Sequence, residues 1–175
     1  MTEMFRDKVD VALTVNGEPV EARVPAGQHL IDFLRQTVGL TGAHASCEHG
    51  VCGACTVRVN GEAVRGCLML AAQADGAEVW TVEGLSDSAA IADLQEAFVA
   101  RNAAQCGFCT PGMLVAAEEL LSQGGLPSRA EIREHLSGNY CRCTGYEAIV
   151  DAVEDVARAR GGEDVARARG GKGAA

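Results

Sequence analysis

The chain has 175 residues, enough for one domain or two small ones, with a formal net charge of −9 and a pI near 4.9. An acidic surface with only 4% aromatic residues argues against nucleic acid, which selects a basic face and stacking platforms. The N-terminus, Met1-Thr2-Glu3-Met4-Phe5-Arg6-Asp7-Lys8, is polar and unlike a signal peptide, and no apolar run reaches membrane-spanning length. A cytoplasmic, reducing compartment is therefore expected, in which the eight cysteines act as metal ligands rather than cross-links.

Taken in order, Val9 to Val15 alternates as a strand, Asn16-Gly17 is a two-residue hairpin turn, and Pro19 to Val24 returns. Leu30, Ile31, Leu34 and Val38 give Gln28 to Val38 a helical period. Thr56 to Val59, the turn Asn60-Gly61, and Glu62 to Cys67 form a second hairpin, and Ala77 to Val82 reads as a last strand. From Ser86 the pattern turns helical. Ser86 or Asp87 is expected to cap a helix to about Ala103, with Ile91, Leu94 and Phe98 on one face. Pro111 opens a second helix that Gly124-Gly125 stops, and Ser128-Arg129-Ala130-Glu131 is a capping box for a third, through Leu136. A fourth runs from about Tyr146 through Ile149, Val150, Val153 and Val156. The four apolar stripes suit a four-helix bundle. The segment from Glu154 to Gly162 is repeated at once as Glu163 to Gly171. The first copy is expected to finish the fourth helix and the second to be an exposed, disordered extension.

The chemistry lies in the cysteines. Cys47, Cys52 and Cys55 stand as C-x4-C-x2-C, and Cys67 follows after eleven residues. This is the plant-type ferredoxin spacing, in which four thiolates hold a 2Fe–2S cluster. Gly50 and Gly53 allow the sharp turns that wrap a short loop round a small cluster, and the second hairpin brings Cys67 back to Cys55. Zinc sites more often show paired C-x2-C knuckles. A Rieske centre needs a second histidine ligand that Cys52-x2-Cys55 does not offer, so His49 reads as a loop residue. Hairpin, helix, cluster loop, hairpin and strand form a small α+β unit resembling the β-grasp fold of plant-type ferredoxins.

A second set lies in the helical half: Cys106 and Cys109 in Gln105-Cys-Gly-Phe-Cys-Thr-Pro-Gly112, and Cys141 and Cys143 in Cys-Arg-Cys-Thr-Gly-Tyr146. Each pair is expected immediately before a helix, whose N-terminal N–H groups favour an anionic cluster. By spacing alone C-x2-C with C-x-C also suits zinc, and the ferredoxin loop in the same chain weighs against that. Phe108 and Tyr146 read either as shields for a cluster or as ordinary core. His29, His44, His49 and His135 have no evident catalytic partner, and no nucleotide-type Gly-rich loop appears.

Together these motifs resemble the iron–sulfur component of the xanthine oxidase and aerobic carbon monoxide dehydrogenase family of molybdenum hydroxylases, over about residues 9–160. The resemblance implies a ferredoxin-like domain (1–84) with the outer cluster on Cys47, Cys52, Cys55 and Cys67. A helical-bundle domain (85–160) would hold the inner cluster on Cys106, Cys109, Cys141 and Cys143, with a tail over 161–175. It implies that Cys143 and Gln105 lie nearest a molybdopterin, commonly the cytosine dinucleotide, in a large subunit. FAD would sit in a medium subunit, and the whole would be a dimer of heterotrimers. Electrons would pass from molybdenum through both clusters to flavin. The alternative is a free two-cluster ferredoxin. The halves are expected to join, by a short link, near Gly84-Leu85-Ser86.

Overall fold

The computed structural model describes the backbone of residues 7–170 and the side chains through residue 161. Its first half is a sheet built from two hairpins. β1 (Lys8–Val15) and β2 (Glu18–Pro25) pair antiparallel around Asn16 and Gly17, at φ 53° and 87°. β3 (Thr56–Val59) and β4 (Glu62–Arg65) pair the same way around Asn60 and Gly61, at φ 50° and 93°. Two successive left-handed residues match the twist of the flanking strands. β5 (Glu78–Trp80) inserts between the hairpins, parallel to β1 and antiparallel to β3, in the order β2-β1-β5-β3-β4. It stops short of the expected Val82 because Thr81 leaves the sheet to open a helix. Asn16 accepts the Thr81 N–H at 2.8 Å and donates to its hydroxyl at 3.0 Å.

The expected helix over Gln28 to Val38 takes an unusual form. α1 (Leu30–Asp32) passes straight into a π-helical turn, Phe33–Val38, that ends at Gly39 with φ 87°. Wider winding lets Leu30, Ile31, Phe33 and Leu34 all enter the core, a broader stripe than a regular period provides. Gln28 stays outside, its carbonyl accepting the Ala71 N–H at 2.8 Å.

The single helix expected from Ser86 is two. α2 (Val82–Asp87) ends near Ala89, at φ 59°, and α3 (Ala92–Ala100) starts afresh. Ser86 lies inside α2 and returns its hydroxyl to the Val82 carbonyl at 2.7 Å, so neither it nor Asp87 is a cap. α4 (Thr110–Ser122) has Pro111 in its first turn. α5 (Arg129–His135) opens on the expected box: Ser128 Oγ accepts the Glu131 N–H and Glu131 accepts the Ser128 N–H at 2.7 Å. α6 (Glu147–Gly170) closes the half. Among the described residues a mixed sheet and six α-helices make the chain α+β. Two apolar cores result, one spanning Val11 to Val79 and the other Leu85 to Ala157. Among the described residues no helix is long and apolar enough to cross a membrane.

The first repeat is anchored by charge. Arg160 donates to Asp93 at 2.8 Å and to Glu118 at 2.8 Å, and Arg101 to Asp155 at 2.6 Å. Arg129 reaches Glu147, Asp151 and Glu154. The backbone of α6 is continuous to Gly170, where an extension was expected from residue 161. The exposure and disorder expected of the second copy concern side chains beyond 161 and residues 171–175, outside the described residues.

Candidate iron–sulfur sites

The first cysteine loop turns through Glu48, Gly50 and Gly53, at φ 56°, 85° and 72°. Arg35 steadies the approach by donating to the Thr41 and Ala43 carbonyls at 2.6 and 2.8 Å. Inside the loop the Cys52 N–H points at Cys47 Sγ, 3.4 Å away, the amide-to-sulfur contact that favours negative sulfur. His49 Nδ1 turns onto the Cys47 carbonyl. Cys67 arrives just after β4, and the Gly66 N–H donates to the Cys55 carbonyl at 3.1 Å, so the second hairpin delivers the fourth thiol as expected.

Within each half of the chain the thiols stand in neighbouring pairs. Cys55 lies beside Cys67, and Cys47 beside Cys52. In the helical half Cys109 pairs with Cys141 and Cys106 with Cys143. Cys55 and Cys67 are buried, while Cys106 and Cys143 are exposed. The amides of Cys52 and then His49 bring the Cys47 thiol down to about 6. Burial pushes Cys55 up to about 11 and Cys109 up to about 12. Burial also acts to raise Cys141, but hydrogen bonds from Thr144 outweigh it and the net shift is downward. The thiol of Cys106 raises Cys143. A bound metal deprotonates a coordinating thiol outright, so the high values belong to the metal-free chain.

Among the described residues no three histidine, cysteine or carboxylate side chains converge as a single-ion site requires. A 2Fe–2S centre asks for something different, four thiolates divided between two irons, and pairs of thiols suit it. A second sign comes from Thr110, directly after Cys109. Its hydroxyl is buried without a hydrogen-bond partner, which costs about 1–3 kcal/mol when nothing fills the need. The donor sets therefore fit two 2Fe–2S centres.

The two cysteine pairs stand differently toward their helices, and only one directly precedes its helix as expected. Cys109 does cap α4, but Cys143 is separated from α6 by Thr144, Gly145 and Tyr146. Because the helix field falls off within a turn, side chains take its place. The Thr144 hydroxyl donates to Cys141 Sγ at 3.2 Å, and the Tyr146 hydroxyl accepts the Cys141 N–H at 2.9 Å. Tyr146 does this from φ 69°, a rare conformation for a bulky residue. Phe108 is 46% exposed and stacks on His44, with ring centroids 4.5 Å apart. At that exposure it is not core. Gln105 is exposed beside Cys106.

The two loops meet through residues that motif spacing did not single out. The Tyr140 N–H donates to the Cys52 carbonyl at 2.8 Å, linking a neighbour of Cys141 to the first loop. Buried Asn139 donates to the Gly53 carbonyl at 3.1 Å. Arg65 donates to Thr56, the Gly138 carbonyl and Asn139 at 2.6, 2.8 and 3.1 Å. His44 Nδ1 lies 2.7 Å from the Phe108 carbonyl. A carbonyl only accepts, so Nδ1 carries the proton. Gly53 has no room for a side chain, since a Cβ would come within 2.5 Å of the Gly138 oxygen. Asn139 stands two residues before Cys141 in the motif, which was the one available signal.

Residues 13–86 match the family described as 2Fe-2S iron-sulfur cluster binding domain, and residues 81–154 match the family described as 2Fe-2S binding domain. Two such domains in tandem define an iron–sulfur electron-transfer protein. The nicotine 6-hydroxylase small subunit of Paenarthrobacter nicotinovorans is 53% identical, with 85% of this chain and 90% of that one aligned. Caffeine dehydrogenase subunit gamma of Pseudomonas sp. (strain CBB1) is 48% identical, over 84% and 90%. Quinoline 2-oxidoreductase from Pseudomonas putida 86 contains a chain of the same fold, with TM-score 0.84 and 48% identity over 90% of this chain and 97% of that one. The chain belongs to the iron–sulfur small subunits of the molybdenum hydroxylases. Its part in such an oxidoreductase is electron transfer, without substrate chemistry of its own.

Proposed function

We propose that Cys47, Cys52, Cys55 and Cys67 hold an outer 2Fe–2S cluster, and Cys106, Cys109, Cys141 and Cys143 an inner one. The chain then connects a molybdopterin cytosine dinucleotide in a large subunit to FAD in a medium subunit, in a cytoplasmic dimer of heterotrimers. When bound, each cluster takes up and passes on one electron. What supports this reading is the pairing of the thiols within each half, with the two cysteine loops joined by the Tyr140–Cys52 hydrogen bond. Thiolates of both halves hold iron, the Cys52 amide supports negative sulfur, and the Asn139–Arg65 junction keeps the sets from drifting apart.

In this reading the halves divide at Gly84-Leu85-Ser86, supported by the two separate cores. The link is a helix rather than a tether, because those residues lie in α2 and Gly84 packs against Asn16. Residues 1–84 form the β-grasp unit, α3 to α6 form the four-helix bundle of residues 85–160, and the remainder is tail. Cys143 and Gln105 face the pterin. Their exposure, together with that of Cys106, leaves this edge available to a partner.

Iron and sulfide analysis of the reconstituted full chain tests the assignment. Two 2Fe–2S domains require four irons and four sulfides, and Cys52→Ser should remove one EPR-visible centre while the other persists. Zinc in place of iron, or half the iron, would defeat it. In the assembled complex, Gln105→Ala should slow reduction of the inner cluster and leave the outer spectrum intact. A complex with the Cys47 to Cys67 loop against the molybdenum would reverse the electron path.

A further inference from the structure

Each cysteine pair of the helical half is followed by a threonine: Cys109-Thr110 and Cys143-Thr144. The two hydroxyls have different surroundings. Thr144 is fixed as a donor, because its oxygen accepts the Tyr146 N–H at 3.2 Å and its proton is left for Cys141 Sγ, also 3.2 Å away. Thr110 Oγ1 is buried and has no partner in the protein. A threonine in a helix ordinarily returns its hydroxyl to a carbonyl one turn back, and buried hydroxyls are nearly always satisfied. Here the Gly107 carbonyl instead accepts the Thr110 backbone N–H, at 3.2 Å. Cys109 and Cys141 are neighbours, so both threonines stand beside the same thiol pair. That pair is the less exposed one, and it adjoins Tyr140 and its bond to the first loop. Among the described residues no hydroxyl donates to Cys106 or Cys143.

We propose that the Thr110 and Thr144 hydroxyls are paired donors to sulfur on the Cys109–Cys141 side of the inner centre, and that they hold its reduction potential up. A hydrogen bond to sulfur withdraws electron density and stabilises the more negative, reduced state, so the potential rises. Tyr146 is a positioning residue in this arrangement. Its amide orients the Thr144 hydroxyl, and its own hydroxyl takes the Cys141 amide. The inference rests on the ligand reading given above.

The test is an EPR-monitored redox titration of the full chain in its complex. Thr110→Val should lower the inner midpoint so that its reduced-to-oxidised ratio at a given solution potential falls about tenfold, about 59 mV for a one-electron couple. Thr144→Val should shift it in the same direction, and the double variant further. The outer centre should titrate unchanged, and Thr110→Ser, which keeps the hydroxyl, should restore the wild-type midpoint. A wild-type midpoint in Thr110→Val, or a shift that Thr110→Ser shares in full, overturns the proposal. Should Thr110→Val fail to load the inner centre, pulsed EPR of the wild type in D2O decides. Strongly coupled exchangeable deuterons at the inner centre support the proposal, and their absence overturns it. Failure of the ligand reading looks different, because Cys109→Ser would then leave both EPR centres in place.

Discussion

The two cysteine sets solve one problem by different means. The first takes three thiols from a single loop, and its tools are backbone ones: left-handed turns at Glu48, Gly50 and Gly53, and the Cys52 amide on Cys47 sulfur. The second draws its thiols from two places more than thirty residues apart in sequence, held in register by helix packing. There the tools are side chains, with Thr144 on Cys141 sulfur and Tyr146 on its amide. A set wound from one loop depends on local conformation, whereas a set assembled from two segments depends on the core beneath it. The two should therefore fail differently.

Gly53→Val attacks the place where the sets touch. It puts a branched side chain at φ 72° and against the Gly138 oxygen. Strain of about 1–3 kcal/mol and overpacking of similar size add, so a loss of about 2–6 kcal/mol is expected in chemical denaturation. Weakened magnetic coupling between the centres should accompany it. A variant within about 1 kcal/mol of wild type would show that the junction is loose. Phe98→Ala, in the helical core, should cost about 3–5 kcal/mol. It should release the inner centre at lower denaturant than the outer one. Simultaneous loss of both would mean that the two cores unfold as one.

Asn139→Ala removes a buried side chain from between Gly53, Thr56 and Arg65. Unpaired buried groups cost about 1–3 kcal/mol, and both centres should remain loaded. The smallest effect is that of acid on the last helix. Hydrogen bonding to Arg160 holds the Asp93 carboxyl below its ordinary 3.8. A depressed folded value stabilises above the unfolded one, and that contribution is lost as pH falls through the folded value. Denaturation midpoints of the wild type should therefore drop below about pH 4 more steeply than those of Arg160→Ala. Parallel curves would remove Asp93 from the account.

Local chemistry was legible in the residues themselves. Asn16-Gly17 and Asn60-Gly61 turn where they should because left-handed conformation is a property of those residue types. The Ser128–Glu131 box closes within four residues, and the cysteine spacing belongs to one short loop. The chain by itself thus determined the hairpins and the principal helix starts at Pro111 and Ser128. Only the tertiary structure decided the π-helical winding of Phe33–Val38, the break between α2 and α3 at Ala89, and the three residues between Cys143 and α6. It alone decided that Tyr140 and Asn139 bond to the first cysteine loop, across a separation of 86 residues for Asn139 and Gly53. Each of these is settled by what must be buried against what. No window of neighbouring residues holds that information, because the partner surface exists only once both halves have folded.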